Sequence, residues 1–306
     1  LICAVRAHAG AGAGHTLGAA VGRAREMGSY HLVELLGRGG MGEVWRARHR
    51  MLVRPAAIKL IRPEFLGSGD ARARERARQR FEREAQTTAM MRSPHTIEIF
   101  DFGVTDVGTF YYVKELLDGF DTETLVREFG PLPPERVVHF LYQVCHSLAE
   151  AHDEGLIHRD IKPANNFTCR YGRETDFIKV LDFGLVKTPQ ADPEPAAQLT
   201  AEHGVGGTPA FMAPEQVLGD RPVDARTDIY SVGCLSYWLL TGHLVFEGES
   251  PIKTMMHHVQ TPPVPPSERL EEEVPSHLES VVLSCLEKDP DRRPRSMDTL
   301  REELDG

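Results

Sequence analysis

From residue 30 onward, the first third of the chain is built of short, largely apolar runs set between breakers. Residues 30–36, 42–48 and 56–61 are parted by Gly or Pro, which predicts three short strands. Residues 70–92 break that rhythm. They hold seven arginines and few breakers, with helical spacing at Phe81, Ala85, Thr88 and Ala89, so they predict a helix with a basic, solvated outer face. Two more strands are predicted at 96–102 and 110–115, followed by a turn at Asp118-Gly119. Beyond it the pattern turns mainly helical. Residues 134–155 read as a helix opened by Pro134 and stopped by Gly155. Apolar pieces at 156–157, 167–168 and 178–181 read as strands. Residues 186–209, rich in Pro, Gly and Thr, read as a long loop, the kind of segment that is usually functional or disordered. The apolar run 229–240 is interrupted by Ser231, Gly233 and Ser236. It is too short to cross a bilayer core of about 30 Å and predicts a buried helix.

The expected organisation is a small strand-rich lobe with its hinge over 27–117, then a larger, mostly helical lobe over 118–306. Residues 1–26 are rich in Gly and Ala and read as a disordered leader or an extension outside the domain, with Met27 as a candidate initiator.

Composition narrows the classes. A chain of 306 residues can bury a sizeable core, and 41% hydrophobic with 26% charged residues is ordinary for a soluble globular protein. A net charge of −10 argues against general nucleic-acid binding, which needs Lys and Arg to neutralise phosphates. The five cysteines are far apart in sequence and form no C-x-x-C, which speaks against a disulfide framework or zinc module and for a reducing, cytoplasmic setting. His257 and His258 are helix neighbours that point in different directions, a poor arrangement for metal ligation.

Four motifs carry chemistry. Gly37, Gly39 and Gly42 fit G-x-G-x-x-G, but a strand follows them rather than the helix of a dinucleotide fold. Glycines at a hairpin tip can lie close over phosphates, and Val44 would then face a nucleotide base. Lys59 sits in the apolar run 56–61. It either faces solvent from an edge or is buried and needs an anion, for which Glu84 is the best candidate. The segment His158-Arg159-Asp160-Ile161-Lys162-Pro163-Ala164-Asn165 combines an acid able to orient a hydroxyl, a lysine able to neutralise a phosphate and an amide able to hold a metal ion. Asp182-Phe183-Gly184 supplies a second hard oxygen ligand suited to Mg²⁺. Ala213-Pro214-Glu215 closes the long loop, and Glu215 is expected to pair with Arg293 as a structural ion pair.

This ordered set resembles the signature of protein kinases, and its wording is similar to bacterial Hanks-type serine/threonine kinases. The resemblance covers residues 30–304 and implies an α+β bilobal fold, with a small antiparallel sheet and one main helix above a helical lobe. It implies ATP and Mg²⁺ as cofactors, Lys59 on the α/β-phosphates paired with Glu84, Asp160 as catalytic base, Lys162 beside it, and Asn165 and Asp182 as metal ligands. Gly37, Gly39, Gly42, Val44, Ala57, Glu115, Leu117, Asp121 and Phe167 would surround the nucleotide. Lys162 and Gly207-Thr208-Pro209 resemble the serine/threonine type, which implies Ser and Thr hydroxyls of proteins as acceptors. Self-association for autophosphorylation is a further implied partnership. Arg159 could engage a phosphate on the loop, with Thr200 as the acceptor and Thr208 in a structural role.

Two positions depart from the family. Lys114 takes the gatekeeper place, where an apolar residue or Thr is usual, and its expected position brings it near Lys59 in competition for Glu84; a shifted register would put it in solvent instead. Asn166 stands where an apolar strand residue is usual. The leading expectation is an active kinase. The alternatives are a pseudokinase scaffold and, less favoured, a small-molecule kinase of related fold.

Overall fold

The computed structural model describes residues 26–39, 42–61, 71–105, 109–183, 209–270 and 273–305. Residues 1–25, Gly184, Thr200, Gly207, Thr208 and the side chain of Glu84 lie outside the described part, and with them the expectations placed there.

A six-stranded antiparallel sheet opens the fold, with strands β1 (Glu26–Met27), β2 (Tyr30–Gly39), β3 (Gly42–His49), β4 (Pro55–Ile61), β5 (Ile99–Val104) and β6 (Phe110–Glu115). Their spatial order is β1-β2-β3-β4-β6-β5. The sheet begins earlier than the pattern predicts: Glu26 pairs with His31, and Met27 packs on the apolar cluster that holds Tyr30 and Leu32. The basic helix α1 spans Ala71–Met90 and buries Ala85 and Thr88.

The second lobe starts with a small sheet of β7 (Gly119–Asp121), β8 (Asn166–Tyr171) and β9 (Glu174–Val180). The helices of this lobe are α2 (Thr122–Phe129), α3 (Pro134–Asp153), α4 (Pro214–Leu218), α5 (Ala225–Thr241), α6 (Pro251–Gln260), α7 (Ser276–Cys285) and α8 (Met297–Leu304), of which α2 and α3 pack on the small sheet. Residues 156–157 do not form a strand. Leu156 bonds back to the Ala151 carbonyl at 2.8 Å as the chain leaves α3. α2 went unpredicted because its N-cap, Asp121, follows directly on turn residues; Asp121 Oδ1 accepts from the Thr124 amide at 2.7 Å.

α5 is the central beam of this lobe, buried on nearly all sides. Gly233 allows α7 to approach, because a Cβ there would lie 2.7 Å from Cys285 Cβ. Near the start of α5 the fully buried Asp228 accepts from the His158 and Arg159 amides, each at 2.8 Å, and meets His152 Nε2 at 2.8 Å. Burial alone would raise the Asp228 pKa; the bond and charge of His152, with His158 and its amide, hold it below the usual range. Glu215, at the first turn of α4, forms a bidentate pair with Arg293, both bonds 2.8 Å, as the sequence led us to expect.

The two lobes share a tie outside the main connection. The Ile97 amide donates to Val180 O at 3.0 Å, the Val180 amide to His95 O at 2.7 Å, and Thr96 Oγ1 meets Ser147 Oγ at 2.7 Å. Residues 95–97 are therefore bonded to β9 and α3 although they precede β5 in the upper sheet.

Two substitutions test these anchors. Arg293→Ala leaves Glu215 as an uncompensated buried charge, and loss of one partner of such a pair costs about 3–5 kcal/mol. A thermal denaturation midpoint equal to the parent's would overturn the anchoring role. Asp228→Ala orphans two buried amides at about 1–3 kcal/mol each. The urea midpoint should drop with little change in m, and an unchanged midpoint would show that the amides find other partners.

Candidate active site

The register of the upper sheet decides which side chains face the cleft. Val44 pairs with Lys59, Lys59 with Tyr112, and Ala57 with Lys114. Directly opposed residues share a face, and so do residues two apart, so Val44, Ala57, Lys59 and Lys114 all point the same way. Val44 and Ala57 meet Leu117 after β6, and Phe167 and Leu181 from below, in one apolar cluster. Four residues expected around a nucleotide base (Val44, Ala57, Leu117 and Phe167) are thus brought together from both lobes.

The glycines stand at the β2–β3 hairpin. Gly37 pairs with Val44, and Gly39 with Gly42. Gly42 has φ +153°, and a Cβ there would fall 1.7 Å from Leu60 O, so no other residue fits without moving β4. Glu115 turns its carboxylate away from the cleft. It pairs with Lys179 at 2.7 Å and accepts from the Glu98 amide at 2.9 Å, so any part it takes at the base falls to its backbone. Asp121 is buried as the α2 cap.

Below the cleft, Lys162 Nζ lies 2.9 Å from Asp160 Oδ2. Asn165 Nδ2 donates to Asp160 O at 2.9 Å and to Oδ2 at 3.2 Å, which leaves its side-chain oxygen Oδ1 as the atom that could hold a metal. The main-chain carbonyl of Asn165 accepts from the Leu181 amide at 2.8 Å and ties this loop to the segment carrying Asp182. His158 supports both sides: a ring nitrogen bonds Leu181 O at 2.8 Å, and its ring packs on the fully buried Phe183 with centroids 4.7 Å apart. Arg159 (φ +63°) and Asp182 (φ +55°) sit in left-handed backbone space, a conformation costly for such residues and common at functional sites.

Asp182 carries the main electrostatic feature. Lys59 Nζ lies 2.5 Å from its Oδ2, and Lys114 Nζ bonds its Oδ1. Burial alone would raise its pKa; the ammoniums of Lys114 and then Lys59 reverse this and hold the carboxyl well below its usual range. Lys114 is inward, as the period of two requires, and its side chain is 5% exposed. Among the described side chains the two lysines share Asp182, and the expected contest for Glu84 lies outside them. Asn166 is buried, and its amide donates to Lys162 O at 2.9 Å, which braces the same loop.

Asp182 and the Asn165 side-chain oxygen Oδ1 are hard donors of the kind Mg²⁺ takes. Two such ligands suit a metal that is otherwise held by waters and substrate phosphates. Among the described residues no group of three His, Cys, Asp or Glu forms a self-sufficient metal cage.

Two supporting residues escaped the sequence reading. Asp228 fixes the backbone of the Asp160 loop, and Lys179 holds the Glu115 carboxylate. Lys179 is a charged residue inside an apolar run, the signal that singled out Lys59, whereas Asp228 only borders the apolar run 229–240.

Residues 30–304 match the protein kinase domain family. The serine/threonine-protein kinase pkn3 of Myxococcus xanthus is 37% identical over 277 residues, covering 90% of this chain and 49% of that protein. The serine/threonine-protein kinase PknB of Mycobacterium leprae is 38% identical over 278 residues, covering 90% and 42% respectively. The chain therefore spans less than half the length of these curated relatives. In fold it is similar to the crystal structure of the Mycobacterium tuberculosis PknI kinase domain, with a TM-score of 0.70 at 24% identity over 91% of this chain and 95% of that one. On the extent of these matches, the chain belongs to the protein kinase domain family.

Proposed function

We propose that this chain is a serine/threonine kinase domain that transfers the γ-phosphoryl group of ATP to Ser and Thr hydroxyls of proteins. The observation that carries the reading is the joint placement of Lys162 and Asn165 on one carboxylate, Asp160, on a loop bonded to the segment that bears Asp182. Phosphoryl transfer asks a protein for positioning and charge neutralisation more than for covalent chemistry. Asp160 orients the acceptor hydroxyl and accepts its proton. Lys162, beside it, neutralises the transferred group. Lys59 reaches the α/β-phosphates, and the backbone at Gly37, Gly39 and Gly42 covers them. Val44 and Ala57 close on the base from above and Phe167 from below. The backbone at Glu115 and Leu117 faces its edge, and Asp121 stands at the ribose end. Asn165 and Asp182 would hold Mg²⁺, which when bound would supply positive charge to neutralise the phosphates.

The relatives' names and the lysine two residues after Asp160 support Ser and Thr acceptors over Tyr. Among the described residues no helix is long and apolar enough to cross a membrane; we place the domain in the cytoplasm. A pseudokinase reading draws on one observation, the engagement of both Asp182 oxygens by lysines. Against it stands the full set of polar residues that transfer requires.

Asp160→Asn separates the two readings. It should abolish phosphate transfer to a generic basic protein while leaving ATP affinity within a fewfold of the parent. Transfer at near-parental rate would remove Asp160 from the chemistry, and a parent that binds ATP without turnover would favour the scaffold.

Regulation is proposed to run through phosphorylation of the loop between Asp182 and Glu215, by one copy of the chain on another, with the phosphate at Thr200 engaged by Arg159. Mass spectrometry of active protein should find phosphate on that loop, and Thr200→Ala should lower activity at least about tenfold, within the range such switches span. Full activity in Thr200→Ala overturns the assignment.

A further inference from the structure

Lys114 lies in mid-sheet, paired with Ala57 on β4 and Ile99 on β5, and its ammonium is almost wholly removed from water. A buried ammonium is tolerated only with a counter-charge, and Lys114 finds it at Asp182 Oδ1, with the Tyr112 ring centroid 5.6 Å from Nζ. Lys59 already occupies Oδ2. One carboxylate is thus shared by two protein cations.

Lys59 has an alternative partner in the proposed reaction, the nucleotide phosphates. Lys114 has none described, and its Cα is fixed by strands on both sides. A divalent ion approaching Asp182 meets an oxygen already taken by a cation that can withdraw only by swinging its own flexible stem. Like charges a few ångströms apart in a low-dielectric cleft repel strongly.

We propose that Lys114 is a tethered cation that competes with the divalent metal for Asp182, and thereby sets how strongly metal and nucleotide binding are coupled. The inference rests on the reading of Asp182 as the metal-holding carboxylate. In the nucleotide-free protein Lys114 does part of the metal's work. It neutralises Asp182, so that an anionic nucleotide enters without facing a bare carboxylate. When metal is present, the same ammonium must be expelled. Lys114 therefore raises metal-free nucleotide affinity and lowers the gain that metal brings.

ADP affinity measured by calorimetry, in EDTA and in saturating Mg²⁺, tests this in the parent and in Lys114→Met. The variant should bind ADP about fivefold more weakly in EDTA. Its gain on adding Mg²⁺ should exceed the parent's by about tenfold, a shift of ordinary size for two coupled ligands. In an Asp182→Asn background, residue 114 should no longer alter the gain, a non-additivity that a merely structural lysine would not produce. Should Lys114→Met fail to fold, Lys114→Gln, polar and uncharged, is read in the same way. The parent alone gives a further check, because without nucleotide it should bind Mn²⁺ only weakly by water-proton relaxation. Equal metal gains in parent and variant, or tight Mn²⁺ binding by the nucleotide-free parent, overturn the competition while leaving the kinase reading intact. A folded parent that binds no ADP under either condition overturns both.

Discussion

A carboxylate with no exposure to solvent, Asp228, sets the frame in which the rest of the site acquires its geometry. The Asp160 loop is irregular, and irregular backbone inside a protein must find partners for its amides. Asp228 takes two of them, at His158 and Arg159, and is itself held by His152 on α3. The left-handed turn at Arg159 is maintained by this grip rather than by local preference. From there Asp160, Lys162 and Asn165 follow in register, and the Leu181 amide on Asn165 O carries the same frame to Asp182.

Three buried charge clusters among the described residues follow one rule: each is placed against an opposite charge on a different element. Glu215 meets Arg293 across the helical lobe, Lys179 meets Glu115 beside the hinge, and Asp182 meets two lysines from the upper sheet. Such pairs are weak sources of net stability but costly to break, so they specify which elements may meet. At Asp182 two cations from neighbouring strands converge on one carboxylate.

Much of this was legible in the chain. Strand alternation places Lys114 and Lys59 on one face, and β6 begins and ends where the pattern predicts. Gly37, Gly39 and Gly42 are near neighbours in sequence, and so are Asp160, Lys162 and Asn165, so proximity within each set needs little tertiary information. What sequence could not supply is long-range pairing. Lys114 and Asp182 lie 68 positions apart, and Asp228 and His158 lie 70 apart. The 156–157 pair failed as a strand because two apolar residues at a helix exit look the same as two in a short sheet. The helix Thr122–Phe129 is short, and its capping residue belongs to both a strand end and a turn.

The tie between residues 95–97 and β9 has a mechanical consequence. It fixes that stretch to the lower lobe, so the upper sheet is joined below at two neighbouring places, just before β5 and just after β6. Those places act as a pivot, and any rocking of the sheet turns about the line between them. Lys114 sits against that line, next to Glu115 and paired with Ile99, and has a short lever arm. Lys59 pairs with Tyr112, two residues further along β6, which is about 7 Å farther out at the rise of a strand. The β2–β3 hairpin is farther still. A rotation of the sheet about that line would lengthen the Lys59–Asp182 contact more than the Lys114–Asp182 contact.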